Sequence, residues 1–264
     1  MSTPNLPPLD TSEFKWTKPP NPLWTYGEPV TATEQGRKWA EEATKGWSTI
    51  NASEEDPGKI YSLLTTGIVP RPVAFVSTVS EDGSENLAPF SWFNQVSSNP
   101  PVISVSCTHK PRQKDTAANI KATKGFTVNI ISAPWIEQAN STSIDAPAGV
   151  SEWILSGLTQ EHSIFVKPAR VKESALSMEC ELLQTVEIMD AAGVVATTLI
   201  LGTVKYIHVR KAVLNDRGVI DPAKLQPIGR MGDTTYVKIG DGFRLPRASW
   251  AQDEKEIQAR LDST

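Results

Sequence analysis

Short β-rich runs separated by strong turn signals dominate the stretch Val69–Ile131, and this alternation restricts the fold more than any other feature of the sequence. Val73–Val79 is rich in β-branched residues and is followed by Asp82-Gly83. This pair favours a tight hairpin turn, because both of its residues tolerate positive φ. Alternation and composition predict the strands that follow. They are the return strand Leu87–Asn94, then Val102–Cys107 and Phe126–Ile131.

The second half of the chain continues this pattern. Strands are predicted over Leu176–Ile188, Val194–Leu201, Val204–Val209 and Thr235–Ile239. A hairpin turn is expected at Asp190–Gly193, and Gly202-Thr203 is a candidate bulge. No internal repeat and no βαβ periodicity are visible. The sequence therefore predicts a mainly β protein with short helices, built on a β-barrel in a single domain.

Helix signals are short and lie between the strands or near the ends of the chain. In residues 31–50, Thr31 and Glu34 have the spacing of a capping box. One apolar stripe there is predicted to be core or interface rather than a cofactor site. It consists of Trp39, Ala40, Ala43 and Trp47. The other predicted helices are Ile60–Ile68, a helix with Asp115 or Thr116 as N-cap and Gly125 as its end, Pro134–Asn140, and the charged tail 248–264.

Residues 1–30 are rich in proline and contain Trp16, Trp24 and Tyr26. Proline excludes a regular helix there. The segment is either a disordered tail or an extended arm that packs on the body or on a neighbouring subunit.

Composition narrows the classes of function. Of the 264 residues, 39% are apolar and 21% are charged, and the net charge is −4 with no long run of one sign. This balance argues against nucleic acid as a partner, and no apolar run approaches the ~20 residues that span a bilayer, so no membrane association is expected. The two cysteines and an N-terminus without the features of a secretory signal lead us to expect a cytoplasmic location.

Several catalytic motifs are missing from the sequence. It contains no G-x-G-x-x-G after a strand, no phosphate loop of the G-x-x-x-x-G-K-[ST] type and no G-x-S-x-G. His109, His162 and His208 lack metal-ligand spacing, so no metal site is predicted. Cys107 is a candidate nucleophile with His109, but an ordinary small strand residue is the better interpretation. No catalytic dyad is predicted.

A basic, hydroxyl-rich loop leaves the strand at Ser106 and leads into the N-terminus of a helix at Thr116. Helix N-termini present unpaired N–H groups and the positive end of the helix dipole, which suits a phosphate. The side chains that would add donors and charge are Ser106, Thr108, Arg112, Lys114 and Thr116. A solvated basic loop with an ordinary N-cap explains the same residues equally well.

The segment Asn86–Ser91 is unusual for a strand, since Pro89 cannot donate a hydrogen bond to a sheet. A bent backbone there would expose N–H and C=O groups to a ligand such as a flavin ring. Residue chemistry alone leaves this as one interpretation among several.

Taken together, the motifs between Tyr61 and Arg247 resemble the flavin reductase-like, FMN-binding split-barrel family, in particular its flavoredoxin-like branch. The main matches are Val69–Thr78 (VPRPVAFVST), Asn86–Phe93 (NLAPFSWF), Asn99–Pro101 (NPP), Lys114–Ile120 (KDTAANI) and Phe126–Asn129 (FTVN). Weaker matches are Met178–Glu181, Leu201–Val204, and Pro227–Gly232 with Tyr236.

The resemblance implies a split β-barrel that forms a homodimer and binds FMN noncovalently near the subunit interface. It assigns Asn86, Ala88, Pro89 and Ser91 to the isoalloxazine and ribityl region, and Ser106, Arg112, Lys114 and Thr116 to the phosphate. Arg71 and Ser77 are placed on the neighbouring strand, where they would either contact the flavin or support that wall. Arg230 and Tyr236 are assigned from the C-terminal motif. The implied domains are an N-terminal extension (1–50), the split barrel (51–247) and a charged tail (248–264).

The implied chemistry belongs to the cofactor. NAD(P)H would bind transiently and pass hydride to FMN. The reduced FMN would then reduce a second substrate (a small molecule or a flavin), reach a partner oxygenase, or react with oxygen. A non-catalytic FMN protein that carries electrons or flavin is the alternative. A barrel that binds another phosphorylated ligand is a more distant one.

Overall fold

The computed structural model describes residues 6–110, 112–147 and 149–262. The chain divides into two compact units, one running Tyr61–Ile239 and the other combining the described residues up to Ile60 with those from Gly240 onward. The strands, numbered along the chain, are β1 (Trp16–Thr17), β2 (Ala74–Val79), β3 (Glu85–Phe90), β4 (Phe93–Ser98), β5 (Pro101–Thr108), β6 (Gly125–Ile130), β7 (Gln160–Glu161), β8 (Arg170–Val171), β9 (Leu176–Met189), β10 (Val195–Val209), β11 (Ile228–Arg230), β12 (Tyr236–Lys238) and β13 (Gly242–Phe243).

The α-helices are α1 (Glu34–Glu42), α2 (Pro57–Gly67), α3 (Asp115–Thr123), α4 (Ile136–Ser141), α5 (Trp153–Ser156), α6 (Pro222–Leu225) and α7 (Trp250–Asp262). Short 3-10 turns lie at Val30–Ala32, Ala43–Lys45, Ala133–Trp135 and Lys211–Val213. None of the helices in the described ranges is long and apolar enough to cross a membrane.

A seven-stranded antiparallel sheet, in the order β3-β2-β6-β9-β10-β5-β4, forms the unit Tyr61–Ile239. The expectation of a mainly β protein with short helices is confirmed. The long β9–β10 hairpin turns where the Asp190 N–H donates to the Val194 carbonyl at 2.8 Å. The two runs predicted on either side of Gly202 form one strand, β10, with register shifts that confirm the predicted bulge. Gly202 is required there, because a Cβ would lie 2.4 Å from Cζ of Phe126.

Both faces of β2 are buried, which fixes the position of the helices around it. Val76 contributes to a core that includes Ile120 of α3, whereas Phe75 contributes to a second core with Trp135 and Trp153. Burial of these apolar side chains stabilises the unit. The alternation places α3 over one face of the sheet and the segment around α4 and α5 over the other.

The return strand predicted over Leu87–Asn94 is wrong as a single element. The structure has β3 and β4 instead, separated at Ser91-Trp92. β3 and β4 lie at opposite ends of the strand order, so the chain must leave one edge here before it joins the other. Pro89 is tolerated because β3 is an edge strand.

The ends predicted for α3 are also wrong. Its N-cap is Lys114, not Asp115 or Thr116, and it ends at Thr123. The reversal of the chain is made by Lys124, with a φ of 67°, rather than by Gly125, which begins β6. The Asp115 and Thr116 side chains bond to other residues instead of capping the helix.

A fully buried carboxylate, Glu179 on β9, anchors the loop before β8. It accepts hydrogen bonds from the N–H groups of Ile164 (2.7 Å), Phe165 (2.5 Å) and Val166 (3.0 Å), and His208 Nε2 lies 2.7 Å from Oε1. Burial alone would raise the pKa of Glu179, but these four neighbours outweigh it and hold the pKa below its ordinary value.

In the other unit, β1 pairs in parallel with β13, so the proline-rich arm bonds to the segment that precedes the tail. The N-cap of α1 is Thr33, whose hydroxyl accepts from the Gly36 N–H at 3.0 Å, so the predicted capping role of Thr31 is wrong. Trp39 and Trp47 are 77% and 92% exposed, so a core role for the predicted stripe is wrong, and its role as an interface stays a prediction. The tail forms the helix α7, as predicted.

Candidate functional site

Two adjoining cavities lie beside β3 in the unit Tyr61–Ile239. The small cavity has a volume of about 130 Å³ and is lined by Asn86, Ala88, Pro89, Phe90, Arg112, Lys114, Asp115, Thr116, Thr142, Ser143, Ile144, Asp145, Ala146 and Glu152. The large cavity has a volume of about 580 Å³ and is lined by Val73, Pro89, Ser91, Ile136, Glu137, Asn140, Ser143, Arg230, Thr234 and Tyr236. Pro89 and Ser143 line both, so the cavities are neighbours.

Most of the residues that the sequence analysis assigned to a cofactor line one of these cavities. Asn86, Ala88, Arg112, Lys114 and Thr116 line the small cavity, Ser91, Arg230 and Tyr236 line the large one, and Pro89 lines both. Arg71, Ser77 and Ser106 line neither.

The small cavity gathers cationic and hydroxyl donors at the start of α3. The Arg112 guanidinium contacts both carboxylate oxygens of Asp115, at 2.7 and 3.2 Å, and donates to the Ala146 carbonyl at 2.8 Å. Lys114 Nζ donates to Asp145 at 3.2 Å. These cations are only partly buried, so an anion that enters the cavity can compete with the carboxylates for them.

A buried hydrogen bond joins the β3 wall to the start of α3. The Asn86 side-chain amide donates to the Thr116 hydroxyl at 2.8 Å. Because that hydroxyl oxygen accepts from Asn86, its own hydrogen is left to donate, and Thr116 lines the small cavity. Asn86 therefore orients Thr116 as a donor toward a ligand in the small cavity.

The large cavity carries a positive charge next to an aromatic ring. Arg230 on β11 lies with its guanidinium carbon 4.5 Å from the centre of the Tyr236 ring. The Tyr236 hydroxyl donates to Asn140 Oδ1 at 3.1 Å, which ties β12 to α4. The walls therefore combine apolar surface, one guanidinium, the carboxylate of Glu137 and several neutral polar groups.

Arg71 supports the large cavity from behind. Its side chain donates to the carbonyl oxygens of Thr65, Ile68 (2.9 Å) and Met231 (2.7 Å), and only 9% of the residue is exposed. Its backbone exchanges two hydrogen bonds with Arg230, at 2.9 and 2.8 Å. Arg71 is therefore bonded to the backbone of Arg230 and lines neither cavity.

The two remaining predicted residues, Ser77 and Ser106, lie within the sheet. Ser77 is on β2, 1% exposed, and its hydroxyl has no hydrogen-bond partner among the described residues. Ser106 is on β5, where its N–H donates to the Trp92 carbonyl at 2.9 Å.

Sequence reasoning missed the contribution of the segment 142–152 to the small cavity. It supplies Thr142, Ser143, Asp145 and Glu152, none of which was among the predicted site residues. Loops often carry functional residues, but no local pattern marks which of their side chains turn inward.

Thiol chemistry is disfavoured at Cys107. The side chain is fully buried, and burial raises the pKa of the thiol to about 12. His109 Nε2 lies 2.8 Å from the Thr198 hydroxyl. The interpretation of Cys107 as an ordinary strand residue therefore agrees with the structure.

Comparison with known proteins identifies the class of this domain. Residues 66–224, more than half of the chain, match the flavin reductase like domain. An uncharacterized protein of Aquifex aeolicus is 38% identical over 187 residues, which cover 70% of this chain and 92% of the relative. The chain belongs to the flavin reductase-like family, which confirms the resemblance found in its motifs.

Solved structures agree with this assignment. Nitrilotriacetate monooxygenase component B from Bacillus cereus superposes with a TM-score of 0.73 at 36% identity, covering 76% of this chain and 99% of that one. Flavoredoxin of Desulfovibrio vulgaris (Miyazaki F) gives a TM-score of 0.58 at 24% identity, covering 69% and 93%. At this lower identity the likeness concerns the fold.

Proposed function

We propose that this protein is an FMN-binding oxidoreductase that takes hydride from NAD(P)H and passes the electrons to a second acceptor. The observation that carries the proposal is the pair of adjoining cavities, one small and rich in phosphate-binding donors, the other large enough for a ring system. The family assignment supports a flavin as the group that joins them.

The donor set of the small cavity fits a phosphate. Arg112 and Lys114 supply charge, the Thr116 hydroxyl is oriented to donate, and the start of α3 adds its dipole. A volume of about 130 Å³ suits the narrow phosphate and sugar end of FMN better than the three fused rings. The FMN would be held noncovalently.

The large cavity fits the ring. Pro89 and Ser91 would line its wall, and Tyr236 adds an aromatic surface. When bound, FMN would supply the redox chemistry, accepting hydride from a nicotinamide and releasing electrons to an acceptor. Arg230 would place a positive charge beside the ring and so favour the reduced, more negative state. The chain need not supply a general acid or base for this reaction.

Two features support proposals about partners. The B. cereus neighbour is component B of a monooxygenase, which favours an oxygenase as the acceptor of electrons from this protein. A homodimer of split barrels would cover apolar side chains that the single chain leaves exposed on β9, including Leu183, Val186, Ile188 and Met189.

Anaerobic mixing with NADH and with NADPH tests the reaction. The FMN-loaded protein is expected to lose its visible flavin absorbance with at least one of the two donors. If it binds FMN but neither donor bleaches it, the oxidoreductase proposal fails and a non-catalytic electron or flavin carrier takes its place.

A further inference from the structure

Glu152 is a buried carboxylate that the proposed phosphate and ring contacts leave unused. The residue is 5% exposed, precedes α5 directly and lines the small cavity. Its Oε2 accepts a hydrogen bond from the Leu87 N–H at 3.1 Å. The Glu152 N–H also bonds to its own side-chain carboxylate. No other residue in the described part of the chain bonds to Oε1, so this oxygen can accept a further hydrogen bond from a molecule in the small cavity.

No cation among the described residues forms an ion pair with Glu152, although the charge of Arg112 favours its ionised form. Arg112 is bonded to Asp115 and Ala146, and Lys114 to Asp145. Burial, more than any other influence, raises the pKa of Glu152 above its ordinary value. A buried carboxylate without an ion-pair partner is costly to the fold, and groups of this kind are concentrated at functional sites.

The chemistry of Oε1 restricts what can lie next to it. A carboxylate oxygen accepts hydrogen bonds, so it favours a neutral donor such as a hydroxyl and repels a phosphate. Glu152 bonds to Leu87, between Asn86 and Ala88, which line the same cavity. Glu152 is thus attached to the β3 wall, whereas Arg112 and Lys114 lie at the start of α3.

We propose that Glu152 accepts a hydrogen bond from a hydroxyl of the ribityl chain of the flavin, and that it thereby selects for the polyol part of the cofactor. The inference rests on the proposed function and deepens it, since it names the residue that recognises the neutral linker between phosphate and ring.

Glu152→Gln is the variant that tests this role. The glutamine oxygen can still accept from the Leu87 N–H, while the atom that faces the cavity becomes an uncharged amide donor. Glu173→Gln is the matched control, because Glu173 also accepts a backbone N–H, that of Thr159 at 3.1 Å, and lines neither cavity. Thermal unfolding checks that both variants fold.

Three flavins serve as probes: lumiflavin has the ring alone, riboflavin adds the ribityl chain, and FMN adds the phosphate. For Glu152→Gln we expect riboflavin and FMN to bind about five- to thirtyfold more weakly, the effect of losing a charged acceptor, while lumiflavin is unchanged. Glu173→Gln should bind all three as the wild type does. If Glu152→Gln does not fold, Glu152→Asp takes its place, because its shorter side chain keeps the charge but moves it away from the cavity. It is also expected to weaken riboflavin and FMN binding and to leave lumiflavin binding unchanged.

Three results with the Glu152 variants would overturn the inference. A riboflavin affinity that is unchanged in Glu152→Gln, or in Glu152→Asp where that variant replaces it, excludes a ribityl contact. Tighter binding of FMN, with unchanged binding of riboflavin, would mean that Glu152 acts only by repelling the phosphate. If the affinity for lumiflavin falls as much as the affinities for riboflavin and FMN, Glu152 would belong to the wall that contacts the ring. Wild-type protein that binds none of the flavins overturns the proposed function as well, whereas binding without bleaching by a nicotinamide overturns only the proposed reaction.

Discussion

Replacing Arg112 by alanine removes a guanidinium from the small cavity without removing any apolar contact of the core. The side chain is 39% exposed and its partner Asp115 is 27% exposed. An ion pair this close to solvent contributes about 0–1 kcal/mol to folding. We therefore expect Arg112→Ala to fold normally.

The effect on FMN should be larger than the effect on folding. A charge-assisted hydrogen bond to a phosphate contributes about 1–3 kcal/mol, so Arg112→Ala should raise the Kd for FMN about 5- to 150-fold. Release of Arg112 from Asp115 on binding offsets part of this gain, which favours the lower half of the range. Riboflavin lacks the phosphate, and its Kd should change little.

Fluorescence titration of the apoprotein with FMN and with riboflavin measures both constants. Lys121→Ala is the control, since it removes the same charge from α3 but lies outside the small cavity, where it pairs with Glu187. Equal losses for FMN and riboflavin in Arg112→Ala would contradict the phosphate assignment. An FMN affinity that is unchanged in both Arg112→Ala and Lys121→Ala would also contradict the phosphate assignment.

Three further predictions concern other parts of the same unit. Thr116→Val, which removes the hydroxyl from the small cavity, should weaken FMN binding about three- to tenfold and leave riboflavin binding unchanged. Titration with both flavins measures this, and Thr123→Val is the control on the same helix. Glu179→Gln should lower Tm at pH 7 by about 4–10 °C, because buried N–H groups lose a charged acceptor. Cys107 should react with thiol reagents only at the rate of unfolding, because its thiol is buried and its pKa is raised to about 12.

A different experimental result would contradict each of these predictions. The hydroxyl assignment fails if Thr116→Val and Thr123→Val bind FMN equally well. Because the pKa of Glu179 is lowered by folding, its contribution is present above the ordinary value of 4.5 and is lost as the pH falls through the folded value. The difference in Tm between wild type and Glu179→Gln should therefore shrink in acid, and a difference that grows would refute the reasoning. Rapid labelling of native Cys107 would exclude the buried thiol.

Local signals explain why much of the sheet could be predicted. Asp82-Gly83 and Asp190–Gly193 define their hairpins through residues a few positions apart, and the structure has hairpins at both. The break between β3 and β4 depends on a long-range condition instead. Ser91-Trp92 must carry the chain from one sheet edge to the other, and nothing in Leu87–Asn94 alone indicates where an edge lies.

The candidate site likewise combines residues that local sequence signals could predict with residues that only long-range contacts bring together. Arg112, Lys114 and Thr116 lie within five positions at one helix start, so their joint role as an anion site could be proposed from the sequence. The bond from Asn86 to Thr116 spans 30 residues, and the bond from Leu87 to Glu152 spans 65. Such contacts exist only once the sheet has brought β3, α3 and the loop before α5 together.

A crystal structure of the FMN-loaded protein would show directly whether the two cavities hold the cofactor. We expect phosphate density in the small cavity, in contact with Arg112, Lys114 and Thr116, and ring density in the large cavity beside Pro89 and Tyr236. FMN bound outside these cavities, or bound with its ring against Arg112 and Lys114, would contradict it.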